Sequence, residues 1–498
     1  MGCSANLYRM SNDVTFGPLD RTRRGEAVLA AVVSVLFTCL AMAWSFHAKV
    51  KCAGAPFNAE GRSRRWPVGD PHAIIPCYND QMNLWLGRDI NNHVFPYIHG
   101  AITEHGHLVG GSVEYPVLSG MLMWLGAIGA HTDLDFFIHS ALILAPFGIV
   151  VTLLLVYLVR WWALLWAATP PLVLYAFHNW ELPVVATCVG GIAVVAWGAS
   201  LDADGNPRLS VRTAAVWAAV LFGIGFSLKL YPGFFVLPLA IYVLTRGGGF
   251  VSRFRSPKDV PADLDWRGFF YTAGAATATV TLTQAPFMIL GWAGWRGSLS
   301  FQGKRKSDID TNSIWYWGLR HLTGGQTDLY NTIVGIASPL LIVASFILAV
   351  WLGWRVYRPG MTTIGVYPWI GVCGAMLAGF MVFHKVHSPQ YTLWILPFFV
   401  LLNVRWPVIV AYLVADLSLD LTIFRLFGIL NNPTHPPMKW WVIGGVNFGV
   451  WVHAALLVYL IFAFVKATPR EPLASFGFRV PQRRALLSDR GAVAVPAT

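Results

Sequence analysis

A chain of 498 residues that is 56% hydrophobic and only 12% charged has too little polar surface to coat itself in water, since soluble domains carry about 25% charged residues. Its formal charge of +12 comes from 36 Lys and Arg against 24 Asp and Glu, and the excess sits in connections and tails, as positive-inside orientation requires. Composition therefore excludes a soluble globular domain and, because the basic residues are scattered among apolar runs, a nucleic-acid binder; it predicts an all-α integral membrane protein.

Residues 1–25 read as a cytosolic segment. Arg21, Arg23 and Arg24 precede an apolar run, 26–46, that is long enough to span, so this is a signal anchor and not a cleavable signal. The opening Met1-Gly2-Cys3-Ser4 suggests lipidation, but Asn6 stands where a myristoylation motif needs Ser or Thr. With the arginines inside, residues 47–113 form a large external loop.

Further apolar runs lie near 115–130, 136–159, 161–177, 183–199, 213–230, 232–245, 268–290, 329–352, 365–384, 390–403, 405–425 and 441–466, thirteen segments in all. The residues after Val465 include Lys466, Arg470, Arg479, Arg483 and Arg484, so both ends are expected in the cytosol. Two cytosolic ends require an even number of crossings, and about twelve are expected. The segments least suited to cross are the pair split by Pro232 and the run 161–177, broken by Pro170 and Pro171. Basic connections at 246–267, 354–358 and 403–406 are expected inside, and 291–328, 384–390 and 426–440 outside. The whole of 26–466 is read as one transmembrane catalytic domain, and 467–498 as a basic, disordered cytosolic tail.

Cys39, Cys188 and Cys373 lie in apolar runs, where a thiol behaves as a small hydrophobe. Cys52 and Cys77 share the external loop, where oxidising conditions let a disulfide persist. A bond between them would close about 25 residues, worth roughly 3 to 4 kcal/mol in the chain-entropy model; two free thiols are the alternative.

Polar residues concentrate in the external connections rather than at mid-span, which points to a site at the outer face. The first loop carries Cys77-Tyr-Asn-Asp80, Gly87-Arg88-Asp89, Phe95-Pro-Tyr97 and Glu114-Tyr115-Pro116. Around Asp80, the residues Tyr78, Met82, Trp85 and Leu86 recur at helical spacing, predicting a helix on the membrane surface. An acid held there is placed to act as a general base, with Asp89 and Glu114 as reserves. A polar knot, His178-Asn179-Trp180-Glu181, separates two apolar runs, and Lys229 lies in an apolar stretch before Tyr231-Pro232. A lysine at such depth has a partner or faces water, and an anionic phosphate suits it. His384-Lys385-Val386-His387-Ser388-Pro389-Gln390-Tyr391 joins two late spans; no acid or cysteine is close enough in sequence to make its histidines a metal site. Asp416 and Asp420 share a helix face with Arg425 a turn beyond, so they are either functional or an internal ion pair.

On these residues the chain resembles the membrane glycosyltransferases of GT-C fold, specifically family 87 and related actinobacterial polyprenyl-phosphate-mannose-dependent mannosyltransferases. The resemblance covers 26–466. Its elements occur in family order: Asp80 followed by Gly87-Arg88, Tyr115-Pro116, Asn179 in the knot, Lys229 to Pro232, and Lys385 to Tyr391. The knot departs from the family's usual Gly-Gln-x-Asn. The resemblance implies inverting transfer of a sugar, mannose first, from a polyprenyl-phosphate donor to a glycolipid or cell-envelope glycan acceptor at the outer face of the plasma membrane, with Asp80 as base. Lys229, Lys385, His384, His387 and Arg88 would hold the donor phosphate. Asp89, Glu114, Tyr115, His178, Asn179, Glu181, Gln390 and Tyr391 would line the substrate site. No Asp-x-Asp motif is present, and a monophosphate leaving group can be neutralised by basic side chains, so neither a metal nor another cofactor is expected. The rival reading is a transporter or flippase of lipid-linked sugars using Asp416, Asp420 and Lys229; a non-catalytic scaffold would leave Asp80 and Lys229 freely replaceable.

Overall fold

Backbone N–H and C=O groups find no water in a bilayer, so long apolar runs, unlike the alternating strands of a closed barrel, are satisfied there as helices. In the computed structural model, which describes residues 21–64, 76, 78–247, 264–357, 366–431 and 437–478, they are helical. The chain opens with α1 (Arg21–Val50), and its long connection holds α2 (Asp80–Gly87) and a short antiparallel ribbon, β1 (Ala101–Ile102) with β2 (Leu108–Val109). There follow α3 (Val117–Gly126), α4 (Asp133–Val159), α5 (Leu164–Ala167) and α6 (Pro170–Tyr175). Next come α7 (Glu181–Ala199), α8 (Val211–Leu228), α9 (Val236–Leu244), α10 (Trp266–Leu290), α11 (Trp292–Lys304) and α12 (Arg320–Leu322). The last five are α13 (Asp328–Tyr357), α14 (Trp369–Phe383), α15 (Thr392–Leu401), α16 (Trp406–Leu430) and α17 (Trp440–Lys466).

Among the described residues, eight helices are long and apolar enough to cross a membrane, and four shorter apolar helices accompany them, Val117–Gly126, Tyr231–Leu244, Trp369–Phe383 and Pro389–Leu401. The chain is thus a multi-pass helical membrane protein. The two runs expected at 136–159 and 161–177 are not two spans: one continuous candidate span covers Asp133–Ala167, with a 3-10 turn at Arg160–Ala163. The remainder is the short α6, which starts on Pro170, where a missing N–H costs nothing. The run expected from 115 starts at Val117 and forms only ten helical residues.

The most extensive helix contacts are α7 with α8, α16 with α17, α8 with α10 and α14 with α17. Small residues allow the close approaches: a Cβ on Gly191 would stand 2.4 Å from the Phe222 ring, and one on Gly371 2.2 Å from the Phe464 carbonyl. In its most apolar stretch α7 is 83% buried, against 11% for α10, so α7 lies at the centre and α10 at the rim. Of the tail, residues 467–478 pack on the bundle: Asn403 N–H donates to the Thr468 carbonyl at 2.8 Å, and Leu473 and Phe478 are buried. Residues 479–498 lie outside the described residues.

Candidate active site

Asp80 opens α2, and the local sequence explains why the helix starts there. Asn79 is extended and its side chain accepts from Met82 N–H at 2.8 Å, an N-cap that satisfies an orphan donor. Met82 and Trp85 turn inward, Trp85 against Phe136 of α4 at 5.7 Å between ring centroids. The same short helix therefore buries one face and presents the carboxylate of its first residue. Asp80 N–H donates to the His178 carbonyl at 2.9 Å, which ties the helix to the polar knot ahead of α7.

The Asp80 carboxylate collects donors from three parts of the chain. Asn179 Nδ2 donates to Oδ2 at 2.7 Å, Gln390 Nε2 to the same oxygen at 3.3 Å, and Tyr78 hydroxyl to Oδ1 at 3.0 Å. Its side chain keeps 21% of its surface exposed. Burial pushes its pKa above the usual carboxylate range, against the opposing pull of the Asn179 and Tyr78 hydrogen bonds and the Lys229 charge. Asn179 also donates to the Tyr115 hydroxyl at 2.8 Å. His178 Nε2 stands 3.9 Å from Asp80 Oδ2, while its Nδ1 faces Lys49 Nζ at 3.5 Å. An ammonium can only donate, so Nδ1 accepts and Nε2 carries the hydrogen toward Asp80. Burial first, then the charges of Lys49 and Lys229, hold this imidazole well below its ordinary pKa and so neutral.

Asp80, Tyr115, His178, Asn179 and Gln390, named from distant stretches of sequence, thus converge on one spot. Lys229 lies beside them, 4.9 Å from the Tyr115 ring and 5.5 Å from that of Trp394. It is not a free cation: its ammonium is bonded to Glu181, whose other oxygen accepts from Trp394 Nε1 at 2.5 Å. Tyr391 stacks on Trp394 at 3.7 Å, continuing an aromatic wall to Tyr231. Glu181 and Lys229 therefore form a buried ion pair beneath the carboxylate, rather than separate acceptor and phosphate ligands.

Several other predicted residues are committed elsewhere. Arg88 holds Glu114 in a two-pronged pair at 2.6 and 3.2 Å. Asp89 accepts from Gly110 N–H at 2.7 Å, which folds its own loop. His384 Nδ1 faces the Val386 carbonyl at 2.9 Å, and burial drives its pKa down to about 4. His387 is buried against Met381 and His453. Lys385 donates to the Gly303 carbonyl at 3.0 Å. Asp416 accepts from Thr392 at 2.6 Å and Tyr175 at 3.1 Å, while both oxygens of Asp420 are buried with no hydrogen-bond partner among the described residues. Arg425 lies over the Trp441 ring at 5.1 Å. Cys52 is disulfide-bonded; its expected partner Cys77 lies outside the described residues.

Three contributors escape the sequence reading. Tyr78 reads in sequence only as a position of the α2 helical pattern, yet its hydroxyl serves Asp80. Lys49 sits at the end of the first span and is fully buried; its depth beside a histidine was the available signal. Arg305 follows α11, and its charge is felt by Tyr391, Tyr115 and Glu114, but nothing in Lys304-Arg305-Lys306 distinguishes it from an ordinary basic loop. No group of three or more His, Cys, Asp or Glu suited to a metal occurs among the described residues.

Residues 208–460, just over half of the chain, match the family model described as Mannosyltransferase (PIG-M). No curated protein and no solved structure matches significantly.

Proposed function

The chain belongs to the PIG-M mannosyltransferase family of the GT-C superfamily, and we propose that it moves mannose from a polyprenyl-phosphate donor to a glycolipid or glycan acceptor, with inversion, using Asp80 as base. The reading applies to the outer face of the plasma membrane, and the donor class rests on the family-87-like order of motifs. The observation that carries it is the Asp80 carboxylate, part exposed, gripped by three side-chain donors and raised in pKa by burial.

In this reading the acceptor hydroxyl oxygen attacks the anomeric carbon as its proton passes to the ionised Asp80. The bond from that carbon to the phosphate oxygen breaks, and its electron pair leaves with the lipid phosphate. Asn179 and Tyr78 hold the carboxylate so that its free lone pairs face the acceptor; a well-placed base contributes about 10²- to 10⁴-fold. The leaving phosphate is received by cations with spare donors, Lys385 and Arg305, whose charges act on each other. The Lys229–Glu181 pair supports the floor from below, and no metal is needed for a monophosphate leaving group that basic side chains neutralise.

Purified protein with radiolabelled polyprenyl-phosphate mannose tests the reading directly. Wild type is expected to label a glycolipid acceptor in detergent, where no second compartment exists for a flippase to serve. Asp80→Asn, near isosteric but unable to take the proton, should remain folded and lose transfer. Retention of more than about a tenth of wild-type turnover, well short of a general-base effect, would remove Asp80 from that role.

A further inference from the structure

Behind the loop that delivers Gln390 to Asp80 lie two buried histidines in contact, His387 of that loop and His453 midway along α17. Their nitrogens are all engaged. His387 Nδ1 is 3.1 Å from the Met381 carbonyl, His453 Nε2 is 3.2 Å from the Tyr412 carbonyl, and the inner pair, His387 Nε2 and His453 Nδ1, are 3.2 Å apart. A carbonyl oxygen only accepts, so each outer nitrogen must carry its hydrogen. Two neutral imidazoles own one ring hydrogen each, and both are used. The inner contact then sets two lone pairs face to face unless a third proton lies between them.

We propose that His387 and His453 share one extra proton as a singly charged imidazole pair, and that this bond positions the 384–390 loop so that Gln390 meets Asp80. The proposal rests on the reading of Asp80 as the base. The link is short: the backbone N–H of His387 donates to the Thr311 carbonyl at 2.6 Å, and Ser388 binds the Gln390 side chain that in turn reaches Asp80 at 3.3 Å. His453 is thus a positioning residue that touches neither sugar nor phosphate.

The groups facing the pair are few. From α16, Tyr412 stacks on His453 with centroids 4.2 Å apart, and Asp416 lies one turn further along with Oδ2 buried and without a hydrogen-bond partner among the described residues. Tyr391 is 6.3 Å from His387, and His384, coupled in turn to Lys385 and Arg305, acts on it from within the loop. Burial, partly offset by the bond to the Met381 carbonyl, pushes His387 down to about 4; the inner contact opposes this further, because the last deprotonation exchanges an N–H···N bond for lone-pair repulsion. Loss of that proton as pH rises should slacken the loop and lower kcat, whereas ionisation of Asp80 raises kcat at the acid end.

Nitrogen-15 spectra of histidine-labelled protein in lipid nanodiscs, assigned with His387→Asn and His453→Asn, read the proton itself. A shared proton should give inner nitrogens intermediate between protonated and bare imidazole at about neutral pH. Both inner nitrogens bare throughout the range in which the enzyme transfers sugar would overturn the proposal, whatever the role of Asp80. In kinetics, His453→Phe should lower kcat about tenfold, the worth of one good hydrogen bond, with KM for the lipid donor little changed. His453→Asn, whose amide can donate to His387 without an added proton, should restore most of kcat and abolish the alkaline limb while keeping the acid one. An alkaline limb unchanged in His453→Asn would also refute it. If instead Asp80 is not the base, the acid limb would persist in Asp80→Asn while the nitrogen signature stayed as described.

Discussion

At the scale of single residues, the Asp80 site is a contest between desolvation, which favours the neutral acid, and three donors that favour the carboxylate. Burial is the larger influence, so with Asp80 as the proposed base kcat is expected to fall, as pH drops, at a pH above the ordinary aspartate range, because a protonated acid could not take the acceptor's proton. A profile of kcat against pH reads this, and replacing Tyr78 by Phe, which removes a donor to the carboxylate, should move the acid limb further up. The Lys229–Glu181 pair behaves differently. Glu181 is fully buried and Lys229 nearly so, so Lys229→Met strands an uncompensated carboxylate. A loss of about 3 to 5 kcal/mol is expected for breaking such a pair, with much of it recovered when both charges are removed together. Thermal unfolding in detergent of Lys229→Met beside Lys229→Met/Glu181→Gln measures the difference; equal unfolding temperatures would show that the pair carries no structural charge balance.

At the scale of elements, α2 is too short to persist unaided. It depends on its Asn79 cap, on the contact of Trp85 with α4, and on the backbone bond from Asp80 to His178. Asn79→Ala should cost about 1 kcal/mol. Because the lost bond lies one residue before the carboxylate, kcat should fall while KM for either substrate hardly moves; a rise in KM alone would argue that α2 shapes a binding surface instead. Sequence periodicity was sufficient to place this helix, since its buried positions repeat at helical spacing and its cap residue is a strong one. For 161–177 the two prolines marked a run ill suited to cross, but not the path that the chain takes there. The chain passes through a 3-10 turn and two short helices, with α6 beside α1 and α16.

At the scale of the whole molecule, two groups of connections gather at different places. The 403–406 connection binds 468–470, the Asn403 amide reaching Thr468 at 3.0 Å, and at the opposite end residues 78–80, 178–181 and 384–390 gather. A cysteine introduced at Asp204, in a background that keeps Cys52 and Cys77 and lacks the other native cysteines, should react with a membrane-impermeant thiol reagent only after permeabilisation if the active-site end faces outward. One at His105 should react in intact cells. The reverse pattern would turn the active-site end toward the cytosol.

Membrane residence, a multi-pass helical architecture and the glycosyltransferase class were legible from the order of residues alone. They depend on run length, the paucity of charge and short local motifs, which need no knowledge of distant neighbours. Asp80, Asn179 and Gln390 were legible as candidates for the same reason, each lying in a polar break between apolar runs. What each cation faces was not: Lys229 and Arg88 are equally plausible phosphate ligands in sequence, and only packing reveals that Glu181 and Glu114 hold them. The proton count at His387 and His453 lies beyond sequence altogether. It depends on which nitrogen meets which carbonyl across 66 residues of chain, and hydrogen-bond direction is a property of close approach, which tertiary structure alone decides.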